Sequence, residues 1–502
     1  MCTLSFSVIF AEKFLTTMRN IRRFFFVFLT ATMLWGCLEE NYTTDPNHQL
    51  SFSTEELTFD TLFNTIASRT QSFLVYNKNK KAIKINAIRL ASGAQSYFRL
   101  NVNGVIDSEN ILNDIDIAAK DSMFIFVELT IAEQADDKPV FVKDAILFET
   151  NGNTQQVNLT AYGQNVTIFD NKIFKSDTTL DATRPFLIYN NLYVNDGCTL
   201  TLKQGVRLHL HNNANIVVNG NLIAEGTLEE PIKIQGDRLD KMNDVDNTPY
   251  SYLPGQWGAI YLQSPNGQHS LKNVDIIGGT NGILLIGSTT QMPTLTIENS
   301  YIHTMTNYGI CTLNGNTNIA NTEISNCGIS CLNIVGGENK ITHCTIADYY
   351  EWDIRETPAV KISNYLIDGN WLYIYELQSA VFQNTILFGN RTEELALDKD
   401  TISQKNNAYN IYFSECLIKG SKINSTQFNN IIWASAANNA ELFKNTSIKE
   451  VGQTGYYDFS LLSNAAARNK ANAAVSALYP TDRKGANRFA DGNPDIGAYE
   501  YQ

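Results

Sequence analysis

Polar and apolar positions along this chain return as a phrase. Asn273-Val-Asp-Ile276 recurs as Asn299-Ser-Tyr-Ile302, Asn321-Thr-Glu-Ile324 and His343-Cys-Thr-Ile346, in steps of 26, 22 and 22 residues. A period of twenty-odd residues set among β-branched side chains predicts a parallel β-solenoid, whose coils bury their apolar faces only by stacking. Ile then lies over Ile inside the coil, and Asn over Asn at a corner, where side-chain amides ladder between coils. A helical repeat of this period needs runs of Ala, Leu, Glu and Lys, which are missing here. First turns are read at 191–202 and 216–226, later ones at 380–387 and 428–433. Two polar insertions, 239–253 and 349–358, interrupt the period.

Before the solenoid the pattern is different. Ile83-Lys-Ile-Asn-Ala-Ile88 alternates with period two, and strand-like runs stand at 72–76, 123–129 and 157–162, with a hairpin around Asn151-Gly152. This predicts an antiparallel β-sandwich over 50–165, a β-solenoid over 166–455 and a C-terminal cap over 456–502. An open solenoid end exposes unpaired strands, which is the reason to expect a cap there. The Ala-rich run 465–477 is read as a short helix within it.

Composition adds the compartment. The chain has 502 residues, 43% hydrophobic and 18% charged, with 30 Gly and 11 Pro, which suits short strands joined by tight polar turns. Residues 1–36 are read as an export signal. Met18 starts a charged stretch with Arg19, Arg22 and Arg23, then an apolar run over 24–33 too short to span a bilayer, ending at Leu34-Trp35-Gly36-Cys37. Loss of that segment removes four basic residues and one acidic one, taking the net charge from −13 to −16. Such a chain repels nucleic acid and anionic membranes. Six cysteines remain after Cys37. Cys327, Cys331, His343 and Cys344 are read as packed side chains rather than a metal site, because the 22-residue coil puts His343 over Asn321 and Cys327 elsewhere on the turn.

Several of these features carry a resemblance. Leu34-Trp35-Gly36-Cys37 resembles a bacterial lipobox with Cys37 as the lipidated residue, and Leu38-Glu39-Glu40 resembles the surface-export signal of Bacteroidetes lipoproteins. The turns at 191–226, Gly236-Asp-Arg238, Pro254-Gly-Gln-Trp-Gly258 and the terminal Asp491-Gly-Asn-Pro-Asp-Ile-Gly-Ala-Tyr-Glu500 resemble right-handed parallel β-helix proteins of the same group. The 50–165 segment resembles their immunoglobulin-like modules. The resemblance implies an outer-membrane lipoprotein, surface-exposed, held by its lipid alone through a tether at 37–49. Its expected partner is an extracellular glycan, with no nucleic acid and no cofactor.

Fold analogy does not decide chemistry. Hydrolysis of a sugar bond needs two carboxylates facing a cleft. The densest supply is Asp348, Glu351, Asp353 and Glu356 in the second insertion, beside Arg355 and Lys361. Asp237, Asp240, Asp244 and Asp246 form an acidic string in the first insertion, a weak Ca²⁺ candidate without the Gly and terminal Glu of an EF-hand loop. Aromatic residues point to sugar binding: Tyr349, Tyr350 and Trp352 in the second insertion, then Trp371, Tyr373 and Tyr375, which share one strand face. Facing outward, those rings form a stacking platform, with Arg355 and Lys361 meeting a carboxylate or sulfate; facing inward, they are core. The expected function is non-catalytic polysaccharide binding. A polysaccharide lyase or glycoside hydrolase is the alternative, and a structural or adhesive surface protein the third.

Overall fold

The computed structural model describes residues 42–242, 245–435 and 441–502. Cys37 and Asp244 lie outside them. The described chain is almost wholly β and divides into two compact units, one of them drawn mainly from residues 42–161 and the other from 162 onward. No helix among the described residues is long and apolar enough to cross a membrane.

The first unit holds two five-stranded sheets. Ser51–Phe52, Gln71–Tyr76, Ser122–Leu129, Phe98–Val102 and Val105–Ile106 pair antiparallel in that order. In the other sheet Ile83–Leu90 pairs antiparallel with Ile111–Ile117 and Val140–Thr150. Period-two alternation buries Ile83 and Ile85 while Lys84 and Asn86 face water. Phe73 of one sheet meets Phe148 of the other at 6.4 Å, edge to face, so a sandwich core closes between them.

The second unit is a parallel β-helix built on an 18-stranded and a 10-stranded sheet. Its first parallel pair joins Thr167–Phe174 to Phe186–Val194, and its last joins Leu417–Lys419 to Ile432–Ala434. The isoleucines of the recurring phrase stack as predicted: Ile276, Ile302, Ile324 and Ile346 are register partners, followed by Leu387, Ile418 and Trp433. A second inward column ends in Phe382, Phe413 and Phe428, whose rings lie 4.6 and 4.9 Å apart and nearly parallel. Cys327, Cys331, Cys344 and Cys416 are unpaired and buried in this core.

The corner differs from expectation. Asn273, Asn299, Asn321, His343 and Asn384 hold φ between 48° and 51°, in the left-handed region where the chain passes from the 10-stranded to the 18-stranded sheet. Their amides do not form a continuous ladder. The stack runs one residue later: the Val274 amide donates to Ser300 Oγ (3.1 Å), Ser300 N to Thr322 Oγ1 (3.4 Å), and Cys344 N to Thr385 Oγ1 (3.3 Å). Asn is there because a short side chain tolerates positive φ at low cost, whereas most residues clash.

The segment expected to close the solenoid's end lies along its wall instead. After the hairpin Phe443–Asn445 with Asp458–Leu461, the chain runs back over successive corners. The Asn384 side chain donates to Asn472 O, Asn321 donates to Thr481 O and accepts from Arg488, and Arg483 pairs with Asp275 (3.1 Å). The outward amides of Asn321 and Asn384 find partners in this strap, with one bond between corners, Asn384 to His343 Nε2 at 2.9 Å, while Asn273 donates to Gly226 O. A helix forms only over Ala473–Ser476 of the Ala-rich run.

Candidate ligand-binding surfaces

The second insertion enters between the strands Thr345–Asp348 and Val360–Ser363. It is stapled down, not free. Arg355 makes a bidentate pair with Glu394 of the next coil (2.7 and 2.8 Å), reaches Asp348 at 3.5 Å and donates to Asn390 Oδ1. The Arg355, Asp348 and Glu394 side chains are buried and paired with one another, where exposed groups were expected. Burial pushes the Asp348 carboxyl up to about 7, against the pull of Arg355. Glu351 accepts from the Ile448 amide (2.6 Å), while Asp353 and Glu356 are exposed.

The aromatic group divides. Tyr349 packs against Phe388, Phe443 and Phe459 in the cluster under the C-terminal hairpin, and Tyr350 and Tyr375 are buried. These three are core rather than platform. Trp352 is half-buried. A concavity of about 430 Å³ lies beside the loop, lined by Tyr350, Asp353, Ile354, Arg355 and Asn390–Thr392.

Trp371 and Tyr373 behave differently. Tyr365–Asp368 and Trp371–Ile374 form an antiparallel hairpin following the strand Val360–Ser363, closed at Gly369, whose φ of 57° suits a tight turn. Register sets Trp371 opposite Asp368 and Tyr373 opposite Leu366, so these four share a face. Trp371 is 72% exposed and Tyr373 41%. Loop and hairpin thus leave from opposite ends of one short strand, whose outward residue Lys361 pairs with Asp398 at 3.4 Å.

The acidic string of the first insertion is engaged. Asp237 meets His211 Nδ1 at 2.6 Å, and Asp240 holds Arg238 through two bonds while the guanidinium stacks on Tyr250 at 3.4 Å. Asp246 sits in a turn at φ 49°. Among the described residues no three His, Cys, Asp or Glu side chains come together as a cation site.

A second concavity involves none of the residues expected from the sequence to form a site. Outward positions of adjacent strands place Lys233, Asp275, Tyr301 and Glu323 in one row, because they are successive register partners. The strap roofs this row with Tyr457, Arg483 and Tyr499, leaving about 280 Å³. Ser325 Oγ donates to Glu323 (2.8 Å), and the Tyr499 hydroxyl donates to its other oxygen. Burial lifts the Glu323 carboxyl to about 7 despite nearby Arg483. The sequence signal was present in the second variable position of the recurring phrase, but the partners lie 176 to 208 residues away.

No known protein family matches the chain, and no curated protein matches it. Among solved structures it is similar to the VesB protease of Vibrio cholerae (14% identity, TM-score 0.17), over 24% of this chain and 33% of that one. A family 123 glycoside hydrolase from Clostridium perfringens matches at 7% identity and TM-score 0.17, over 24% of this chain and 30% of that chain. The E. coli chaperone DraB matches at 8% identity and TM-score 0.16, over 25% and 57%. The chain spans about a third of the length of the first of these. Likenesses at this level identify neither fold nor activity. What its own strands define is a class: an all-β protein joining antiparallel sheets to a long parallel β-helix.

Proposed function

We propose that this chain is a Bacteroidetes-type surface lipoprotein whose β-helix binds extracellular polysaccharide without cleaving it, the sugar rings stacking on Trp371 and Tyr373. One observation carries the binding reading: a hairpin projects from the coil with Trp371 72% exposed. A large ring gains nothing from water there, whereas the apolar face of a sugar covers it favourably. Lipid anchoring in the outer membrane rests on the sequence around Cys37. Binding is read ahead of cleavage because Asp348 is locked to Arg355 and Glu351 is committed to a backbone amide. The test is a glycan array with the parent protein and Trp371→Ala. The variant should lose several-fold in signal on each bound glycan while its melting temperature stays within about 1 °C, as for an exposed residue. Unchanged binding would remove the hairpin from the site, and new reducing ends or 4,5-unsaturated products would replace binding by cleavage.

A further inference from the structure

The cavity beneath the strap is built like a site. Its floor is a small grid: Lys233 and Gln235 face outward from Ile232–Gly236, Asp275 and Ile277 from Val274–Ile277, and Tyr301 and Glu323 continue the first row. Tyr252, Tyr456, Tyr457 and Tyr499 supply ring surface around it. Two of its three cations are committed, Arg483 to Asp275 (3.1 Å) and Lys484 to Asp458 (3.0 Å). Lys233 makes no ion pair within 4 Å among the described residues and is exposed at the open edge. The Tyr301 hydroxyl lines the cavity, is buried and makes no hydrogen bond of good geometry, its near neighbour being the Tyr252 hydroxyl, so a ligand hydroxyl would satisfy it better. With Glu323 kept protonated by burial below about pH 7, one positive charge is left over.

We propose that this cavity binds a single sugar ring bearing a carboxylate, the size and chemistry of a terminal uronic acid. Lys233 takes the carboxylate, Gln235 and the Tyr301 hydroxyl bond ring hydroxyls, and the tyrosines cover the apolar faces of the ring. A volume of about 280 Å³ admits one ring and no longer stretch of polymer. This site lies on a different strand row of the coil from the hairpin and does not depend on it.

Saturation-transfer NMR and calorimetry on the full chain decide the matter, with glucuronate, galacturonate, glucose and galactose as probes. At least one uronate should bind, more tightly than its neutral counterpart. Lys233→Ala should weaken it about tenfold or more, as for loss of a charged hydrogen bond. Tyr456→Ala, at a half-exposed ring, should weaken it too, while Trp371→Ala leaves it unchanged. The proposal is overturned if neither uronate binds up to about 10 mM, if Lys233→Ala binds like the parent, or if the neutral sugars bind equally. Loss of uronate binding in Trp371→Ala alone would assign the sugar to the hairpin instead.

Discussion

At five successive corners of the coil one residue holds positive φ, Asn at four of them and His343 at the other, and that backbone demand favours Asn. Asn299 isolates the effect, since its side-chain oxygen has no hydrogen-bond partner and its φ is 51°. Asn299→Gly should therefore change stability by no more than about 1 kcal/mol, because glycine accepts the conformation freely. Asn299→Val should cost at least about 2 kcal/mol, since a β-branched side chain is a genuine outlier there. Urea unfolding of both variants measures this; a Val variant as stable as the Gly variant would mean that something other than φ selects Asn. The recurrence of Asn was legible because backbone geometry repeats with the coil. Its reason was not, because a pattern of letters does not separate an amide chosen for its bonds from one chosen for its φ.

Among elements, the strap decides how the wall behaves with pH. Glu323, bonded to Tyr499 of the strap, keeps its proton up to about pH 7 against an ordinary 4.5. The folded chain then holds a proton that the unfolded chain has released, so the contribution is full below pH 4.5 and is lost as pH rises through 7. Asp348 and Glu500, both raised to about 7, act in the same direction. Buried His209 and His269, lowered to about 4 by desolvation, act oppositely: their contribution is full above 6.5 and lost as pH falls through 4. The difference between Glu323→Gln and parent removes these shared terms. Between pH 4.5 and 8 the variant should gain on the parent by roughly 3 kcal/mol in urea unfolding, the equivalent of about two and a half pKa units. A difference that stays flat with pH would show Glu323 ionised at all these values beside Arg483. None of this was readable beforehand, since Glu323 and Tyr499 are 176 residues apart. The hairpin was half legible: alternation put Trp371, Tyr373 and Tyr375 on one face, but Tyr375 lies beyond the end of the hairpin strand and is buried.

For the whole molecule, the proposed lipid anchor rests on the lipobox-like segment Leu34-Trp35-Gly36-Cys37. Cys37→Ser, expressed in a Gram-negative host that processes lipoproteins, should lose its acyl groups and leave the membrane fraction; unchanged membrane association would refute the anchor. The fold class itself was open to the sequence, because coil stacking and strand alternation are local, periodic demands that each segment must meet with its own side chains. Isoleucines at fixed spacing and alternation in 83–88 therefore predicted the β-helix and the sandwich. Which polar groups meet was decided only by tertiary structure. Arg355 looked like a ligand contact and is a buried staple to Glu394, and residues 456–502 looked like an end cap, of which 472–499 run as a strap along the wall. The physical reason is the same in both cases: burial of apolar residues follows a period that one coil can declare, whereas a charge or amide is satisfied by whichever partner the finished fold brings within 3 Å.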